Sequence, residues 1–149
     1  MKEQFNTNVI DHSQELQAIK DKYGERFHHE PKATQEAAEL WGIETNKCGV
    51  CRNITTEVLI DEKRITAEIY LARTTKNYWL TGISAHTSLS GTGYAPSVWD
   101  RTGYTSYDAA RKQAIQKVKD FFSRSALEKE KSFIFSKISE KETPQLSLF

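Results

Sequence analysis

Cys48-Gly49-Val50-Cys51 sets two thiols at the spacing of half a tetrahedral zinc site. The adjacent His28 and His29 would complete a Cys2His2 set for zinc, although histidines ahead of cysteines reverse the usual finger order. Two other readings stay open. A redox pair belongs at a helix N-terminus after a strand, whereas this pair precedes a strand pattern. The plainest reading is two reduced cysteines in a loop.

Residues 88–105 gather a second group. Tyr94, Trp99 and Tyr104 could stack on bases and Arg101 could touch phosphate. Arg111, Lys112, Lys117, Lys119 and Arg124 add positive charge on the segment that follows. Against this, a helix that packs one face commonly carries lysines on the other, and loop aromatics commonly cover a core. A third group is acidic: Glu57, Asp61, Glu62 and Glu68 lie near Lys63 on one hairpin pattern, with Glu57 and Glu68 expected on its solvent face. A metal-dependent nuclease uses such residues when they converge. There is no Walker-type glycine loop, no Gly-x-Ser-x-Gly turn and no His-Glu-x-x-His helix.

The elements that would position these residues follow from periodicity. Leu16, Ile19 and Tyr23 share one helical face from about Asp11 to Gly24. Pro31 fits the first turn of a second helix, 31–41, with Ala33, Ala37, Leu40 and Trp41 along one side. The period then becomes two: Ile54 to Ile60, Ile65 to Leu71 and Tyr78 to Thr87 read as three strands joined by short polar turns, an antiparallel meander. A short fourth strand is expected near 97–101. Thr105 and Asp108 have capping-box spacing before a helix whose stripe is Tyr107, Ala110, Ala114, Val118 and Phe121. Ser125 and Glu128 open a last helix to about Ile138. The expected fold is α+β: two helices, a three- or four-stranded antiparallel sheet, then two helices, with the helix at 106–123 covering one sheet face.

The last residues read differently. Residues 139–144 are polar, and Pro144 disfavours helix at Thr143, so Gln145 onward is expected extended after a mobile spacer. Leu146, Leu148 and Phe149 gain nothing in water but could each contribute roughly 1.5–3 kcal/mol in a partner's pocket. Gln145-Leu146-Ser147-Leu148-Phe149 resembles the peptide by which bacterial replication and repair proteins dock on the β sliding clamp, and matches that motif at all five positions. The resemblance implies that Gln145 hydrogen-bonds at the pocket edge, Leu146 and Leu148 anchor, Phe149 plugs and Ser147 faces outward. It covers five of the 149 residues and implies a partner, not a reaction. The competing reading is that 145–149 fold back on the protein's own core.

Composition bounds the rest. A 149-residue chain with 38% hydrophobic and 28% charged residues fits one soluble domain, 1–138, with a tail, 139–149. A net charge of +1 supplies no global attraction to nucleic acid, so any DNA contact must be local. No apolar run reaches membrane-spanning length, and two cysteines make no disulfide framework, which fits the cytoplasm. The resulting expectation is a non-enzymatic accessory protein of DNA replication or repair, small enough to suit a mobile element, tethered to the clamp. The alternatives are a clamp-localised DNA-processing enzyme, or a nucleic-acid-binding or dimerising module whose tail is structural.

Overall fold

The computed structural model describes residues 8–142. They fold as α+β, with four helices and a six-stranded antiparallel sheet. Three long strands form the meander the sequence predicts: β2 (Ile54–Asp61), β3 (Thr66–Arg73) and β4 (Trp79–His86). Three short strands enlarge it. β1 (Val9–Asp11) pairs with β6 (Thr102–Tyr104), while β5 (Gly91–Tyr94) and β6 both lie along the outer edge of β4. The order is β1-β6-β4-β3-β2, with β5 beside β4. The expected strand at 97–101 is absent. That segment instead loops out between β5 and β6, joined by a bridge from Ser97 to Val50.

Each sheet face has its own apolar core. Ala67, Ile69, Leu71, Ile83 and Ala85 alternate onto one face, under α3 (Tyr107–Ser125) and α4 (Glu128–Glu142). Ala110, Ala114, Val118 and Phe121 of α3 are buried, the stripe that helical periodicity selects. Ala72 and Leu80 point to the opposite face, where they meet α1 (Ser13–Tyr23) and α2 (Pro31–Trp41). Trp41 is fully buried there. Its indole N–H donates to the Val98 carbonyl at 3.0 Å, and the His12 ring meets it edge-on at 4.4 Å. Only a residue without a side chain fits beneath it: a Cβ on Gly103 would lie 2.6 Å from Trp41 Cζ3.

Local chemistry departs from the sequence expectation at three places. A bulge between Val58 and Ile60 breaks the alternation of β2. Leu59 and Ile60 are therefore both buried, and Val58 is 43% exposed. The cap of α3 is Ser106, whose Oγ accepts from the Ala109 N–H at 3.1 Å, while Thr105 pairs with Asn8. Finally, α4 continues past Ile138 to Glu142. Lys119 pairs with Glu142 at 2.9 Å, and Arg111 donates to the Lys141 carbonyl at 2.7 Å. Residues 139–142 are thus helix and not the polar spacer expected from composition. No helix among the described residues is long and apolar enough to cross a membrane.

Candidate functional site

The loop between β5 and β6 packs Val98 and Trp99 into the α1/α2 core, while Asp100 feels the charge of Lys117 on α3. Asp100 closes it on itself: the Asp100 N–H donates to the Ser97 carbonyl and the Ser97 N–H donates to Asp100 Oδ2, both at 3.1 Å. Burial pushes the Asp100 carboxyl up to about 6; the Ser97 N–H and the Lys117 ammonium of α3 oppose that rise. Tyr94 and Tyr104 share the region. Both phenols are raised, first by burial and then by the Asp100 charge. Next to them a cleft of about 200 Å³ runs between the sheet and α3, lined by Thr92, Tyr94, Lys117, Asp120 and Arg124 among others. The cluster thus combines a carboxyl able to change protonation near neutrality with two phenols and two nearby cations. It has the chemistry to hold a small polar or anionic group.

The aromatic and basic residues singled out from the sequence do not form one surface. Tyr94 and Tyr104 come together at Asp100, but Tyr104 is buried, with no exposed ring for stacking. Trp99 packs edge-on against Phe27 at 4.7 Å and is among the residues that join the α1/α2 core. Its indole nitrogen has no hydrogen-bond partner and would lie 2.8 Å from a Cβ on Gly49. Arg101 is exposed near Asp11. Arg111 is engaged by Glu57 through two 2.8 Å hydrogen bonds, and exposed Lys112 lies with it at the end of α4.

Nor are the cysteines and histidines assembled as a zinc site. Asn46 organises the turn, its side chain accepting from the N–H groups of Cys48 at 2.8 Å and Val50 at 3.0 Å. Cys48 faces solvent. Cys51 enters the α1/α2 core, where burial pushes its thiol up to about 12, with the Asp100 charge adding to the rise. His28 and His29 meet with ring centroids 4.2 Å apart and planes tilted by 44° in a short 3-10 turn, Phe27–His29. Among the described residues, no group of three or more His, Cys, Asp or Glu is placed to hold a metal ion.

The acidic hairpin is likewise divided. Glu57 sits opposite Ile69 and Glu68 opposite Val58, so the two carboxylates are on opposite faces. Glu57 takes the Arg111 fork, which holds its carboxyl below the usual range, and Glu68 accepts from the Tyr70 hydroxyl at 2.8 Å. Sequence reasoning missed Asp100 and the electrostatic role of Lys117. The available signal was Ser97-x-x-Asp100, a turn-forming spacing inside a loop already picked out for its aromatics.

The segment Gln145–Phe149, whose sequence resembles a clamp-docking peptide, lies outside the described residues. In comparisons with known proteins, the chain matches no family model, no curated protein and no solved structure.

Proposed function

We propose that this protein is an accessory factor of DNA replication or repair that docks on the bacterial β sliding clamp through Gln145-Leu146-Ser147-Leu148-Phe149. The observation that carries the reading is the match of all five residues to the clamp-binding motif. The body supports it in two ways. Residues 8–142 supply an apolar core on each face of their sheet. The end of α4 is fixed to α3 by Arg111 and Lys119, so the peptide would be carried on an anchored helix. Docking would bring the α+β body to DNA synthesis in the cytoplasm or keep other proteins out of the clamp pocket; both follow from one contact. The alternative of a clamp-localised metal nuclease calls for converging ligands, and the described residues assemble no such group.

Single substitutions test the reading. Phe149→Ala and Leu148→Ala should each weaken clamp binding by about tenfold or more, because each removes roughly 1.5–3 kcal/mol of apolar burial. Ser147→Ala should leave it unchanged. Equal affinities for all three variants would overturn the proposal.

A further inference from the structure

A further groove lies away from both the Asp100 cluster and the end of α4. It has a volume of about 470 Å³ and runs between one face of α2 and the segment 43–52. That is the size of a small-molecule site. Its two ends differ in chemistry.

One end is polar and cationic. Arg52 donates its Nε–H to the Thr45 carbonyl at 3.1 Å, which steadies the guanidinium. Neither Arg52 nor Lys47 has a carboxylate partner among the described residues, although Glu44 also lines the groove. Thr34 lines the same groove from the first turns of α2. It is only 6% exposed, yet its Oγ1 is buried without a hydrogen-bond partner. A buried hydroxyl left unpaired is costly, and a ligand oxygen would satisfy it.

The other end is apolar. Ala38 and Ile43 continue into an adjoining shallow cleft that reaches Gly42 and is walled almost wholly by carbon. Gly42 has a left-handed backbone, φ 78°, and a Cβ there would lie 2.6 Å from Thr75 Oγ1, so the wall must stay bare.

We propose that this groove binds a small amphipathic organic anion. Its carboxylate or phosphate head lies at Arg52, Lys47 and Thr34, and its apolar body lies along Ala38, Ile43 and Gly42. A guanidinium fork suits either planar carboxylate or phosphate oxygens, and the apolar half excludes a bare inorganic ion as the preferred ligand.

The test uses the full chain and the fluorescent anion 8-anilinonaphthalene-1-sulfonate as probe. One probe should bind per chain. Octanoate and octyl phosphate should displace it, and the stronger of the two identifies the head group. Octanol, which lacks the charge, and inorganic phosphate, which lacks the apolar body, should each compete about tenfold less well or worse, a difference of about 1.4 kcal/mol. Arg52→Gln should weaken probe binding by about tenfold on the same scale. Ala38→Trp should fill the groove and abolish binding at an unchanged melting temperature. Thr34→Val should weaken binding without loss of stability. Arg52 is exposed, so its variant reports on the site even if Ala38→Trp fails to fold. Absence of probe binding would overturn the proposal. So would affinity unchanged in Arg52→Gln, or displacement by octanol as effective as by octanoate.

Discussion

Replacing Asp100 by asparagine isolates the one carboxyl among the described residues that the fold holds well above its ordinary value. Its carboxyl titrates near 6 in the native protein against 3.8 for an unburdened aspartate. The native state therefore holds this proton more tightly than the unfolded chain. Stability from this group is fully present below pH 3.8 and is lost as pH rises through about 6. With about 1.4 kcal/mol for each pH unit between the two values, the ionised form costs the native state about 3 kcal/mol at pH 7.5. The asparagine side chain would keep an oxygen to accept the Ser97 N–H and would carry no charge. Urea unfolding of both proteins should then show Asp100→Asn more stable by up to about 3 kcal/mol at pH 7.5 and by about 0.6 kcal/mol at pH 4. Other carboxylates titrate in both proteins and cancel in the difference. Lys117→Gln supplies the complementary arm: without that cation the wild-type background should lose stability at pH 7.5, and the Asp100→Asn background should not. Parallel stability curves for Asp100 and its asparagine variant from pH 4 to 7.5 would refute the reasoning.

Other predictions concern the supports around this site. Arg111→Ala should destabilise the fold by about 1–3 kcal/mol, since it strands a half-buried carboxylate. Because Glu57 is held below its ordinary 4.5, that loss should narrow as pH falls below 4.5 and Glu57 protonates in both states; denaturant titration across pH 3–7 measures it. Gly103→Ala should cost about 1–3 kcal/mol by forcing the Trp41 ring to move, read as a lower urea midpoint with unchanged m. Iodoacetamide should modify Cys48 in the native protein and spare Cys51, with both reacting in denaturant; mass spectrometry counts the adducts.

Much of the architecture is legible in the sequence because its elements carry strong periodicity. Ile65, Ala67, Ile69 and Leu71 alternate along one strand and Trp79, Ile83 and Ala85 along another, and these residues make up the α3-facing side of the sheet. Proline at 31 and glycine at 42 bound α2 where they should. The sequence conceals what depends on partners distant in the chain. Val9–Asp11 is too short to signal a strand alone and forms one only beside 102–104. The β2 bulge is invisible because a one-residue slip leaves the composition intact while reversing which residues face inward. Residues 139–142 are polar and still helical: Glu140, Lys141 and Glu142 are good helix formers, and ties from Arg111 and Lys119 hold the last turn.

The candidate site divides along the same line. Tyr94 and Tyr104 were recognisable as loop aromatics, yet their meeting point at Asp100 depends on how β5 and β6 share one edge of β4. Spacing alone does not place the cysteines either: a C-x-x-C pattern does not reveal that one thiol enters a core while the other faces water.

Equilibrium binding of the intact chain to a bacterial β sliding clamp, measured beside a chain lacking residues 145–149, tests the central claim most directly. The account predicts a dissociation constant on the order of micromolar for the intact chain, because ordering the peptide offsets several kcal/mol of its contacts. It predicts no detectable binding for the truncated one. Failure of the intact chain to bind at about tens of micromolar, a range that would still reveal a contact of roughly 6 kcal/mol, would contradict it, as would equal binding by both chains.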